Sequence, residues 1–243
     1  QGREKGIRQL MAINMLKRLE SSVNSFRLTI QRIQELIQNT ISRIENFAQG
    51  RYEYTSLETE DYYPSMVAEE EFYGSSFIGG KKTKIDLADM DYASWRQYLI
   101  QDKETLNFLL TMLQDITPLH DSKLQQLIAD LDYKFTHPIN GENKKVLIFT
   151  AFSDTAEYLY SELADRIHNE YGLNVAMITG SVDGMSTIKK LKTDFNTILT
   201  LFSPLSKERN ILFPKSETEI DVLIATDCIS EGQNLQDCDY LIN

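Results

Sequence analysis

Cysteine is nearly absent: Cys228 and Cys238 are the only two in 243 residues. Two thiols cannot build a disulfide framework, and they lack the paired spacing of a zinc site, so free thiols in a reducing compartment are expected. Histidine is equally scarce. His120, His137 and His168 stand far apart, and none is joined to cysteine or acidic residues at ligand spacing, which leaves metal catalysis without support. No apolar run reaches the ~18 residues of a membrane span, so no membrane partner is expected and the chain reads as cytoplasmic. Gln1-Gly2-Arg3-Glu4 is neither a signal peptide nor a native start, and a piece cut from a longer protein is expected. A phosphate-binding loop of the form G-x-x-x-x-G-K-[ST] is missing too. Gly79-Gly80-Lys81-Lys82-Thr83 lacks that spacing and a preceding buried strand, and reads as a turn.

Basic charge is in deficit. The 25 Lys and Arg face 36 Asp and Glu, a net charge of −11, spread as +4 over residues 1–50, −8 over 51–140 and −7 over 141–243. A nucleic-acid partner would have to be held by backbone amides, hydroxyls and a few cations rather than by a bulk field. The plain alternative is a solvated acidic surface. With 42% hydrophobic residues the composition is that of a globular protein, and a chain this long buries roughly 70–75% of its unfolded surface without cross-links.

What is present divides into a helical front and an α/β back. Val23, Phe26, Ile30, Ile33, Ile37, Ile41, Ile44 and Ala48 fall at steps of three and four, one helical stripe. Tyr92, Trp95, Leu99, Leu106, Leu109, Leu113 and Ile116 form a second, with a lapse at Asp102. Each stripe covers about 26 residues, or ~39 Å, and neither can hide its apolar side alone, so an antiparallel pair is predicted. Between them, residues 49–90 mix Tyr52, Tyr54, Tyr62, Tyr63 and Tyr73 with acidic residues and show no period; an irregular acidic insertion is expected. Arg27, Arg32 and Arg43 lie at varied positions around the first helix and read as solvated.

The back half alternates strand and helix signals, which predicts a parallel sheet covered on both faces. Val146–Phe149 reads as a strand, followed by an amphipathic helix opened by a cap-like pair, Asp154 and Glu157, and running past Ile167. Val175–Ile178 is the next strand, with a helix predicted near Ser186 to Phe195; Asp221–Thr226 and Tyr240–Ile242 supply two more strands. The chain stops at Asn243 with no helix to cover the last strand, so a truncated sheet is expected. Ligands of such sheets meet the carboxyl ends of the strands. Three corners carry hydroxyls there: Thr150-Ala151-Phe152-Ser153-Asp154, Thr179-Gly180-Ser181, and Thr226 through Gln236. The turns leaving Phe149, Ile178 and Ala225 are expected on one rim.

The third corner is distinctive in residue order. Val222 through Gln236 (Val-Leu-Ile-Ala-Thr-Asp-Cys-Ile-Ser-Glu-Gly-Gln-Asn-Leu-Gln) resembles motif V of the second RecA-like domain of superfamily 2 helicases and translocases, closest to the bacterial RapA-like branch of the Swi/Snf group. Lys145 through Phe152 resembles the motif IV strand and turn. Ser122-Lys123-Leu124 is similar to the helix before motif IV, and Leu16-Lys17-Arg18-Leu19-Glu20-Ser21-Ser22 to the lead-in from the first domain. The resemblance covers the chain from about residue 10 to the end, apart from 49–90. It implies a lead-in at residues 1–21, a helical arm at 22–120, and a partial RecA-like helicase domain 2 at 121–243.

It also implies site roles. Thr226 would hydrogen-bond a phosphate of the tracked strand, with Thr150, Ser153, Gly180 and Ser181 serving adjacent phosphates. For ATP, Gly232 would let the backbone approach the phosphates, Asn234 would reach the ribose, and Glu231 with Asp227 would shape the inter-domain hinge, although Asp227 reads equally well as a cap on its turn. No catalytic or metal residue is expected in this chain. ATP and Mg²⁺ would belong to the intact protein, with Mg²⁺ held mainly by a preceding RecA-like domain in cis, and neither is expected in these residues alone. The arginine fingers of motif VI lie beyond Asn243, and losing one costs ~10³–10⁵ in turnover. The parent is therefore read as an ATPase acting on nucleic acid, DNA first among the candidates, and this chain as inactive by itself.

Two other classes compete. A non-motor protein-interaction module built on the α/β lobe and helical arm suits the acidic charge better, but leaves the Ser-Glu-Gly-Gln-Asn-Leu-Gln string without a purpose. A Rossmann-like transferase would need a glycine-rich loop after the first strand, where Thr150-Ala151-Phe152-Ser153 stands.

Overall fold

The opening residues coil into helix α1 (Gly2–Ser21), and after a break at Ser22 the first stripe becomes helix α2 (Val23–Ala48). The computed structural model describes residues 2–51, 56–58, 84–214, 217–229 and 233–243. It divides into two compact units, Phe26–Asp115 and a second made of Gln1–Ser25 with Ile116–Asn243.

In the first unit, α2 runs against α3 (Tyr92–Gln114), whose first turn is capped by Asp91 accepting from the Ser94 amide at 3.1 Å. The pairing is antiparallel: Gln34 meets Asn107, Gln38 meets Lys103, and Glu45 meets Arg96, one number rising as the other falls. Ile41, Ile44, Leu87 and Leu99 close the seam, with Ile37, Phe47 and Trp95 packed on them. Phe47 stands edge-on to Tyr92 at 5.3 Å between ring centres. The second helix is three residues shorter than the first, 23 against 26. The stretch expected to be irregular carries a short antiparallel ribbon, β1 (Ser56–Glu58) with β2 (Lys84–Asp86), in the register Leu57 opposite Ile85. The five tyrosines read there, and Gly79 to Thr83, lie outside the described residues.

The second unit holds α1 and the α/β lobe: α4 (Ser122–Thr136), β3 (Val146–Phe149), α5 (Ser153–Tyr171), β4 (Val175–Ile178), β5 (Met185–Ser186), α6 (Phe195–Phe202), α7 (Arg209–Leu212), β6 (Val222–Ala225) and β7 (Leu241–Ile242). The sheet order is β5-β4-β6-β3-β7; β4, β6, β3 and β7 are parallel and β5 runs antiparallel on the edge. Because successive strand residues point to opposite faces, continuous apolar runs mean a sheet buried on both. Val146, Ile148, Met177 and Ile224 face Leu131, Leu163 and Ile167 of α4 and α5. Leu147, Ile178, Leu223 and Ala225 face Ile198, Leu199 and Phe202 of α6. The architecture is thus a mixed α/β, RecA-like sheet with helices on both faces, preceded by helices.

Two local readings are corrected. No helix spans Ser186–Phe195: that stretch is edge strand β5 and a loop, and the helix begins where it was expected to end. Thr187 closes the edge, its hydroxyl accepting from the Val175 amide at 3.0 Å, and the Asp194 carboxylate takes the Thr197 amide at 3.2 Å, fixing the helix start there. Helix α6 turns Phe195, Ile198, Leu199 and Phe202, spaced by three and four, toward the sheet and leaves Asn196 exposed. Nor does Asp154 cap α5. The cap position is Phe152 without a side-chain bond, and Asp154 sits inside the first turn, paired to Arg18 at 3.0 Å. The helix ends conventionally at Gly172 in the left-handed region, φ 68°.

Buried charges tie the outer elements to the sheet. Lys134 of α4 is only 1% exposed; its ammonium donates to Asp239 at 2.6 Å and to the Asn143 carbonyl at 3.0 Å, which fixes the approach to β7. Arg166 of α5 clasps Asp132 of α4 with both nitrogens, at 2.8 and 2.9 Å, and holds that carboxyl below its usual range. Among the described residues, no helix is long and apolar enough to cross a membrane.

Candidate nucleic-acid and nucleotide site

Parallel pairing in register decides where the strand ends go. Phe149 lies opposite Ala225, and Ala225 opposite Ile178, so the three turns that follow leave the sheet along one rim. The rim is stitched by backbone: the Thr150 amide donates to the Ala225 carbonyl at 2.9 Å and the Thr226 amide to the Ile178 carbonyl at 3.2 Å.

Four hydroxyl residues gather there. Thr150 is buried and donates to the Phe152 carbonyl at 2.8 Å, which shapes the turn into α5. Ser153 opens α5, and its hydroxyl accepts from Ser181, across the rim, at 2.6 Å. Ser181 and Gly180 are exposed in the turn after β4, where the Thr179 hydroxyl accepts from the Val182 amide at 3.0 Å. Thr226, the first residue of the turn after β6, is 8% exposed. Hydroxyls beside strand-end and first-turn amides can donate to an anion without any lysine or arginine cluster, the chemistry a net-acidic protein needs.

The proposed nucleotide residues are placed less completely. Asp227 is exposed and starts a single 3-10 turn, Asp227–Ile229, that follows β6; Asn234 is exposed further along. Glu231 and Gly232 lie outside the described residues. Asn234 lines an open groove of about 760 Å³ with Phe149, Ile229, Gln233, Leu235 and Tyr240. Gln233 accepts from Lys207 at 2.6 Å. Asp237 anchors the loop behind it: burial works against its charge, but the Ser206 hydroxyl and the Leu205 and Ser206 amides outweigh that and hold the carboxyl below its usual value. Burial pushes the neighbouring Cys238 thiol up, so it is protonated at neutral pH. Among the described residues no group of three or more His, Cys, Asp or Glu could hold a metal ion.

Sequence reasoning did not foresee what lies behind the rim. Arg18, Ser21 and Ser22 from the end of α1 grip the first turn of α5: besides the Arg18–Asp154 pair, the Ser21 and Ser22 hydroxyls meet that of Thr155 at 2.8 and 3.1 Å. A lone arginine in an amphipathic-looking segment gives no sign of a partner 136 residues away. Gly184 was missed as well; it has no room for a side chain, since a Cβ would lie 2.4 Å from the Thr193 carbonyl oxygen.

A comparison with curated proteins returned no match. Comparison with protein families gave one: residues 122–243, half of the chain, from the first residue of α4 through β7 and the whole rim, match the helicase conserved C-terminal domain. The chain therefore belongs to the helicase conserved C-terminal domain family.

Proposed function

We propose that this chain is the second lobe of an ATP-dependent nucleic-acid translocase of the RapA-like Swi/Snf type, with Lys145–Phe152 acting as motif IV and Val222–Gln236 as motif V. The observation that carries the reading is the convergence of Thr150, Ser153, Ser181 and Thr226 on one rim. In this proposal those hydroxyls, with the backbone at Gly180, hold consecutive phosphates of one strand, and DNA is the first candidate. Base identity is not read, because phosphate contacts carry none. Asp227 and Asn234, with Glu231 and Gly232, would face a nucleotide held mainly by another RecA-like lobe, which would also hold Mg²⁺. Bound between two lobes, ATP favours the closed clamp and its hydrolysis releases it. This chain's own part is to grip and let go of phosphates as the gap opens.

The test is fluorescence anisotropy with a labelled single-stranded oligonucleotide and its duplex. Binding should depend weakly on salt for so acidic a chain, and Thr226→Ala should weaken it by about tenfold, the value of a hydrogen bond to a charged group. No binding to any oligonucleotide would sink the proposal. It would favour the interaction-module reading, for which α3 offers one specific feature: Tyr98, Phe108 and Met112 share one side of that helix and are 65%, 66% and 59% exposed.

A further inference from the structure

Asp154 is oddly placed for a phosphate-gripping rim. It lies in the first turn of α5, directly after Ser153, where a carboxylate takes up the positive end of the helix and repels any other anion. Yet it is 4% exposed and its partner Arg18 is 2% exposed, at 3.0 Å. A buried ion pair is a poor stabiliser compared with apolar packing of the same volume, so its presence asks for another account.

We infer that Arg18 is a positioning and charge-masking residue for the rim: it neutralises Asp154 and fixes the first turn of α5 so that Ser153 can serve a phosphate. This rests on the phosphate-gripping reading above. The guanidinium touches both neighbours of Ser153. It pairs with Asp154 on one side, and its Cζ lies 4.6 Å from the centre of the Phe152 ring on the other. The Phe152 carbonyl takes the Thr150 hydroxyl at 2.8 Å and the Thr155 and Ala156 amides at 3.0 and 3.1 Å, so moving Phe152 moves the whole corner. Ser21 and Ser22 hold Thr155 one residue further on, and Lys123 holds the Glu20 carbonyl at 2.6 Å, which seats the end of α1 against the lobe. Ser22 also accepts from the Ser25 amide at 2.9 Å, so the residue that steadies Thr155 starts α2 as well.

The charge argument separates this role from simple structural support. Removing the cation alone leaves a carboxylate beside the bound phosphate; removing both charges does not. The experiment measures oligonucleotide affinity by anisotropy, and thermal midpoint in parallel, for the wild-type chain, Arg18→Met, Arg18→Lys, Asp154→Asn and the double variant Arg18→Met with Asp154→Asn. Arg18→Met should lose about tenfold in affinity, as expected when one partner of a buried pair is cut away, and the double variant should recover to within about threefold of wild type. Arg18→Lys should fall between, since it keeps the charge and loses the guanidinium placed over the Phe152 ring. Wild-type affinity in a folded Arg18→Met chain overturns the inference while leaving the phosphate-gripping reading intact. So does a double variant as weak as Arg18→Met, because the loss then follows structure and not charge. A wild-type chain that binds no oligonucleotide overturns both.

Discussion

A missing methyl group keeps the corner after β4 in place. A Cβ on Gly184 would lie 2.4 Å from the Thr193 carbonyl oxygen, 3.1 Å from Ile198 Cδ1 and 3.4 Å from the Met177 carbonyl oxygen. The closest of these is backbone, which cannot swing aside like a side-chain tip. The demand is steric closeness to the loop before α6 rather than a left-handed backbone. Gly184→Ala should therefore destabilise the fold by about 1–3 kcal/mol, the usual cost of overpacking, seen as a lower urea midpoint. Gly180 and Ser181 sit on the same short connection, so phosphate affinity should fall along with stability. An unchanged midpoint would mean that the loop has slack that the packing does not suggest.

At the scale of the element, α6 starts on a single capping side chain, as α3 does on Asp91 and α4 on Asp121. Asp194 takes the Thr197 hydroxyl at 2.6 Å and the Thr197 amide at 3.2 Å, with Lys192 at 3.4 Å. These partners, the Thr197 hydroxyl first, hold the carboxyl below its ordinary value against a small desolvation effect. Asp194→Ala should cost about 1 kcal/mol at neutral pH, the value of an N-cap. The folded pKa is depressed, so the contribution is fully present above the unfolded carboxyl's pKa and is lost as pH falls through the lower folded value. Wild type and variant should thus converge in thermal midpoint as the buffer is taken from neutrality toward pH ~3. A gap that stays constant with pH would show that the helix start does not depend on the ionised carboxylate. The α2–α3 pair adds to the Asp91 cap of α3 an apolar seam, in which Ile41 and Ile44 find their cover in Trp95 and Leu99.

At the scale of the molecule, the deciding facts are a net charge of −11 and a sequence without a G-x-x-x-x-G-K-[ST] loop. The first means that any grip on nucleic acid is local, through the rim. The second means that the phosphate cradle of an ATPase is not encoded in these residues. The chain by itself should release no phosphate from ATP above blank in a coupled assay, with or without oligonucleotide. Nucleic-acid-stimulated turnover by the purified 243 residues would refute that expectation and with it the two-lobe proposal.

Much of this protein was legible in one dimension. The strands Val146–Phe149 and Val175–Ile178 fall where the apolar runs put them, because a strand buried on both faces must be apolar throughout. Both long helices could be read from their stripes, since each hides a single side. Helix α6 carries its own stripe, Phe195, Ile198, Leu199 and Phe202, but its start could not be read, because Met185 and Ser186 before it are taken up by edge strand β5 and the helix waits for the Asp194 cap. Local order also fixed which hydroxyls stand at strand ends. Only the tertiary structure decided that Ser153 and Ser181 touch, that Arg18 reaches Asp154, and that Gly184 has no space beside Thr193. The reason is physical: periodicity records which side of an element is buried, whereas a contact between residues far apart in the chain depends on how strands of several units are laid side by side, and no local pattern encodes that.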